Sequence, residues 1–319
     1  MGMTAVGECA LLLNYADGTL WIASDGTWSR FTSVILSSNI GVTPLVAATP
    51  DGVWIADGKR TGYLTLPTLT FARPDQSVAI TLPATSVLIR AIQVTNTGLL
   101  VALDTADIDY VAGGHSNEGA ALLSVSPDGS VTTLWSAPGS WITSLAVDGS
   151  TTVMVVAPLN GSDLSIMADR GHGWSQVPIP GSGLSVRSVA VRGDTLVALA
   201  QRLFPHDVGD TAVTSISHDF GRTWTSVETS SNPLDPPTLL GFHGDTALAA
   251  TSLGTAPLSV LKLTDAAEWV PADAIPARPS AGDTFGTAVL TSCALWILDT
   301  PYNTGNNVLT RLPLSGAGC

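Results

Sequence analysis

Short apolar runs recur in pairs along the chain, each pair joined by a tight turn rich in glycine or aspartate. The pairs are ALLLNYADGTLWIAS (10–24), LVAATPDGVWIAD (45–57), AIQVTNTGLLVAL (91–103), SLAVDGSTTVMVVA (144–157), SVAVRGDTLVALA (188–200), LLGFHGDTALAAT (239–251) and TAVLTSCALWILD (287–299). Asp-Gly and Gly-Asp supply the positive φ that a two-residue hairpin needs, and the flanking apolar residues read as strands. Both runs of a pair are almost continuously apolar, as expected of strands packed on both faces. The second runs begin at Leu20, Val53, Leu99, Val153, Leu196, Ala247 and Leu295, with steps of 33 to 54 residues. The mean step of about 46 is one four-stranded propeller blade. No segment carries sustained helical periodicity with caps at both ends.

The pattern predicts an all-β fold, a single β-propeller of about seven four-stranded blades over residues 1–319. The 33-residue first step leaves little room for a full blade after Leu20. Six complete blades plus a shared one is therefore the alternative, with N-terminal residues closing the ring as an outer strand. Trp135, Trp174, Trp224 and Trp269 are expected to start outer strands, with Trp28 and Phe71 doing so less regularly. Large aromatics there would bury area at the blade seams.

Composition then narrows the partners. Charged residues are 12% of the chain and hydrophobic residues 45%, which excludes a disordered chain. The formal net charge is −13, and Lys59 and Lys262 are the two lysines. A polyanion needs a cationic surface, so nucleic acid is a poor partner. No apolar run reaches the ~20 residues of a membrane span. The N-terminal MGMTAVGECALLLNY has no basic region, and its apolar run, Cys9 to Leu13, is too short for a signal peptide. Low lysine and abundant Ser/Thr suit a secreted or extracytoplasmic bacterial protein whose signal has been removed. A monomer is expected. Of the three cysteines, Cys9, Cys293 and Cys319, the pair Cys293–Cys319 is the expected disulfide, leaving Cys9 free.

Ser217 to Trp224 reads SHDFGRTW and matches S-x-D-x-G-x-T-W at Ser217, Asp219, Gly221, Thr223 and Trp224. MADRGHGW (167–174) keeps Asp169, Gly171 and Trp174, and SDGTW (24–28) looks like a shortened copy. The motif resembles the Asp-box, or BNR repeat, of sialidase-like and sortilin-like propellers, where it forms the turn between the third and fourth strands of a blade. Its role is structural: aspartate accepts bonds from turn N–H groups, and glycine takes the left-handed position. Asp-boxes occur in sialidases, sortilin-like receptors, photosystem assembly factors, xyloglucanases and lectins, so the resemblance implies a fold and not an activity.

The turns between first and second strands would share a face with the Asp-box. The longer connections, at 57–63, 104–119, 158–163, 201–210 and 299–307, would share the opposite one, where variable loops on a rigid scaffold usually place binding sites. They supply the candidate binding residues Tyr63, Asp104, Asp109, Tyr110, His115, Arg202, Phe204, His206, Tyr302 and Asn303. Aromatics beside carboxylates and amides suit a glycan or a protein surface.

A sialidase would need three arginines, a Tyr–Glu pair and an acid/base aspartate. Arg90 and Arg187 lie near inner-strand starts and Tyr302 lies late, but the chain has four glutamates, none persuasively placed. A glycosidase needs two facing carboxylates, which Asp104 or Asp109 with Asp207 or Asp299 would provide. Asp104, Asp107 and Asp109 offer oxygen ligands for calcium, but their spacing matches no calcium loop. No metal or cofactor is expected. The expected function is a non-catalytic recognition module for a glycan or a protein surface. A glycoside hydrolase and an assembly-factor-like scaffold are the alternatives.

Overall fold

The computed structural model describes residues 2–6, 9–14, 17–24, 27–34, 36, 44–61, 64–106, 119–159, 164–202, 211–229, 237–250, 260–272, 284–291, 293–301 and 308–314. They form seven separate antiparallel sheets, each from consecutive strands, arranged as the blades of a β-propeller. No helix occurs among the described residues, so none is long and apolar enough to cross a membrane.

Blade 1 comprises Gly2–Val6, Cys9–Leu13, Thr19–Ser24 and Thr27–Ser33, and blade 2 comprises Leu45–Thr49, Gly52–Thr61, Leu64–Ala72 and Ser77–Ile80. Blade 3 comprises Ser86–Thr95, Gly98–Thr105, Gly119–Val125 and Val131–Pro138. Blade 4 comprises Ser140–Asp148, Thr151–Pro158, Ser165–Asp169 and Trp174–Val177. Blade 5 comprises Leu184–Arg192, Thr195–Arg202, Thr211–Ser217 and Thr225–Thr229. Blade 6 comprises Thr238–His243, Thr246–Ala250, Val260–Leu263 and Trp269–Pro271. Blade 7 has three described strands, Thr284–Leu290, Ala294–Pro301 and Val308–Pro313.

The hydrophobic core is divided among the seams. Leu99, Val101 and Leu103 pack with Trp54 and Phe71 between blades 2 and 3, while the intervening Leu100 and Ala102 pack with Met154 and Val156 between blades 3 and 4. This is why the second strands read as unbroken apolar runs: alternate side chains enter two different cores. Each fully buried Leu or Ile contributes about 1.5–3 kcal/mol. The ring closes where Met3, Ala10, Leu12 and Ala23 of blade 1 meet Ala294, Trp296 and Leu298 of blade 7.

The following expectations are corrected. The run at 10–24 supplies the second and third strands of blade 1, because Gly2–Val6 pairs with Cys9–Leu13 as its innermost strand. Leu20 is thus a third-strand residue, which removes the apparent 33-residue step and the alternative of a shared blade. The N-terminal residues are correspondingly not an outer strand of the last blade. Residues 57–61 belong to a long hairpin and not to a loop, and Phe71 lies in a third strand.

Candidate functional site

Successive strands run in opposite directions, so the propeller has two faces. The turn 217–224 joins the third and fourth strands of blade 5 and lies on the face of the tight first-to-second turns. Ser217 Oγ accepts the Gly221 N–H at 2.7 Å and donates to Asp219 Oδ1 at 2.8 Å. Asp219 accepts the Thr223 N–H at 2.8 Å and the Thr223 hydroxyl at 2.7 Å. Those two bonds, helped by the Ser217 hydroxyl and by Arg222, hold its carboxyl down to about 2. Gly221 has φ 83°, and a Cβ there would stand 2.2 Å from Val177 Cγ1 in blade 4. The Trp224 indole N–H donates to the Pro178 carbonyl at 3.0 Å, tying blade 5 to blade 4. In blade 4, Asp169 Oδ1 accepts the N–H groups of Gly171, His172 and Gly173 at 2.8, 3.1 and 3.0 Å. A related turn in blade 3, Ser126 to Ser130, was missed in the sequence. There Asp128 accepts the Ser130 N–H at 2.9 Å and the Ser126 hydroxyl, and the latter bond leads in lowering its carboxyl.

The opposite face carries the longer connections. Among the sequence-predicted residues, Tyr63, Asp107, Asp109, Tyr110, His115, Phe204, His206, Tyr302, Asn303 and Cys319 lie outside the described residues, as does Asp207. Asp104 and Arg202 are described, and the structure does not bring them together. Asp104 is not a loop residue: it is the penultimate residue of the second strand of blade 3 and has no exposed surface. Its burial follows from packing on both faces of this strand: alternation places Asp104 on the side of Leu100 and Ala102, towards blade 4. Arg202 ends the equivalent strand of blade 5 and pairs with Glu228 of the same blade, its Nε–H donating at 2.9 Å. Cys293 is disulfide-bonded, and Cys9 is free.

A constellation that the sequence reading only grazed lies on the innermost strands. In blades 3 to 6 each of these strands carries an extra residue relative to its neighbour at an equivalent place, Arg90, Thr143, Arg187 and Leu240, and blade 3 has a second one at Val87. A bulge on an edge strand re-aims the extra side chain. Arg90, Thr143 and Arg187 are all exposed, although their strand neighbours Ile89, Ile142 and Val186 are buried. The guanidinium of Arg90 is anchored by Asp104: its Nε–H donates to Oδ2 at 2.8 Å, and Nη2 forms an ion pair with the same oxygen at 2.7 Å. It also lies over the Trp141 ring, 5.4 Å from the centroid. Arg187 donates to Gln201. Asp104 and Gln201 hold the same register position, each opposite the residue two before the bulge. Both arginines therefore reach towards the long-connection face. On the other side of the bulges a cavity of about 420 Å³ runs along the innermost strands, lined by Gln93, Ser144, Asp148, Ser188 and Arg192 among others. Aligning the inner strands by blade gives Ile-Arg-Ala-Ile (89–92), Ile-Thr-Ser-Leu (142–145) and Val-Arg-Ser-Val (186–189), the signal that would have found the set.

No protein-family model matches the chain, and no curated protein matches it. Solved structures do. The β-propeller domain of the Trilobed protease from Pyrococcus furiosus aligns at 11% identity and TM-score 0.55, over 98% of this chain and 90% of that one; it is described as having an open velcro topology. A polysaccharide lyase, an ulvan lyase bound to -[GlcA(1-4)Rha3S]-, aligns at 11% identity and TM-score 0.62, over 98% and 91%. A puromycin-hydrolyzing peptidase of Mycobacterium tuberculosis aligns at 11% identity and TM-score 0.60, over 98% of this chain and 52% of that one. This chain thus spans about half the length of that peptidase. At such identities the likeness is one of fold.

Proposed function

We propose that the protein is an extracytoplasmic, non-catalytic recognition module that binds a glycan bearing carboxylate or sulfate groups on its long-connection face. The observation that carries this reading is the pair of bulged arginines. In a chain with net charge −13, Arg90 and Arg187 are presented by equivalent devices at the inner strands of blades 3 and 5. Arg90 is one-third exposed while its partner Asp104 is fully buried. The guanidinium is thus held in place and keeps donors free for an incoming anion, for which its planar fork is suited. Trp141 beside it offers a ring on which a sugar face can stack. The strands of blades 3, 5 and 7 that lead into the connections containing Tyr110, His115, Phe204, His206 and Tyr302 end at Thr105, Arg202 and Pro301 on the same face, and those five residues are offered as further contacts. The turns centred on Asp219, Asp169 and Asp128 are structural ties on the opposite face, as the Asp-box resemblance implies.

Asp104 is poorly suited to acid/base chemistry, because its carboxylate is buried and bonded to Arg90. That weighs against the glycosidase reading in which it was one of two catalytic carboxylates. A glycan array run beside a panel of fluorogenic glycosides tests the proposal. Retention of acidic glycans without hydrolysis is expected. Hydrolysis of any glycoside that Tyr302→Phe abolishes would establish an enzyme instead, and silence on the array with capture of a protein partner would favour a scaffold.

A further inference from the structure

The seam between blades 7 and 1 differs from the other six. Blades 1 to 6 each have a fourth strand, whereas Val308–Pro313, the third strand of blade 7, pairs only on its inner side among the described residues. After that strand the chain turns inward: the Leu314 N–H donates to the Cys293 carbonyl at 2.9 Å, and the Leu314 side chain is buried between blades 6 and 7. At the other side of the seam, Gly2–Val6 is already the innermost strand of blade 1.

Blade 1 shows the same open seam among the described residues. Tryptophans at the fourth strands face the preceding blade: the Trp224 indole donates to Pro178 O of blade 4, and the Trp269 indole donates to Thr214 Oγ1 of blade 5 at 2.8 Å. Both are half-buried. Trp28 holds this place in blade 1, opposite Ala23, which packs towards blade 7. Trp28 is 41% exposed, and its indole N–H has no partner among the described residues. Arg30, opposite Trp21, and Arg311, opposite Trp296, face the same seam, and Arg311 lies over the Trp296 ring. Both arginines are exposed.

We infer that this seam is a slot for an added β-strand, filled by an extended acidic segment of another polypeptide. The backbone edge of Val308–Pro313 supplies hydrogen bonds, Trp28 supplies an apolar contact, and Arg30 and Arg311 select carboxylates. A second copy of this chain fits less well, since edge-to-edge pairing would bring Arg311 towards its own counterpart and join two bodies of charge −13.

The test uses the full chain and a fluorescein-labelled heptapeptide of alternating Glu and Val. Fluorescence anisotropy should show saturable binding, weakened at least tenfold by Trp28→Ala, with circular dichroism confirming that the variant is folded. Arg30→Glu with Arg311→Glu should reverse the preference towards a Lys-Val heptapeptide. Amide exchange at 308–313 should slow when the Glu-Val peptide is bound, and N-methylation of alternate peptide residues should abolish binding. Equal binding of a Glu-only heptapeptide would show charge attraction alone and overturn the slot. So would binding indifferent to Trp28→Ala, or none at millimolar peptide. A concentration-dependent dimer in sedimentation that Trp28→Ala dissolves would overturn the choice of occupant.

Discussion

Asp104→Asn separates an anchored arginine from an incidental one. In the wild type the Nε–H hydrogen bond and the Nη2 ion-pair contact of Arg90, at 2.8 and 2.7 Å, fall on one buried carboxylate oxygen. Breaking a fully buried pair by neutralising one partner costs about 3–5 kcal/mol. Arg90 is 34% exposed, so water takes over part of its solvation, and an asparagine oxygen still accepts one bond. The expected loss is about 1–3 kcal/mol, a fall in Tm of roughly 2–5 °C for a chain of this size. Urea unfolding followed by tryptophan fluorescence on wild type, Asp104→Asn, Arg90→Gln and the double variant measures it. The double variant should lose at least ~1 kcal/mol less than the sum of the singles, because the residues share one interaction. Additivity within ~0.5 kcal/mol would refute the reasoning, since the carboxylate would then not be what holds the guanidinium.

Three further outcomes are expected. Gly221→Ala combines a left-handed alanine with the approach to Val177, so it should lose about 2–4 kcal/mol in urea unfolding; Val177→Ala should restore part of this, and failure to do so would place the blade 4–5 seam elsewhere. Asp219→Asn should destabilise at neutral pH. The folded carboxyl titrates near 2 against an ordinary 3.8, so its stabilisation is full above that ordinary value and lost as pH falls through about 2. The gap between variant and wild type in thermal unfolding should therefore close over that window, and a gap independent of pH would contradict the carboxylate's role. Non-reducing peptide mapping should find Cys293 linked to Cys319 with Cys9 alkylated, and a Cys9-containing disulfide would overturn that pairing.

The propeller was legible because its physics is local. Alternate residues of a second strand feed two cores, as Leu99 and Leu100 do, and the resulting apolar run repeats once per blade. The register of blade 1 was not legible. Its second-to-third connection, residues 14–18, is longer than the two- or three-residue first-to-second turns of the other blades, but it carries the same Asp-Gly pair, Asp17-Gly18, so turn chemistry pointed to the wrong strand pair. The innermost Gly2–Val6 is too short and mixed to announce itself. The site was legible only in part. Loop composition points to residues 104–119, while the anchored Arg90 depends on a bulge and on a pairing 14 residues away, neither of which the one-dimensional pattern encodes. Asp104 reads as a loop carboxylate because it abuts that loop, yet the strand continues through it to Thr105.

We propose that the long-connection face binds an acidic glycan through the bulged Arg90 and Arg187. Amide chemical-shift mapping during titration with glucuronate-containing oligosaccharides, repeated with Arg90→Ala and Arg187→Ala, tests it most directly. Shifts are expected at 86–91, 140–144, 184–188 and the adjoining long connections, with affinity falling at least tenfold in each variant and neutral oligosaccharides giving none. Shifts confined to the turns at 126–130, 169–173 and 217–224, or affinity unchanged in both variants, would contradict it.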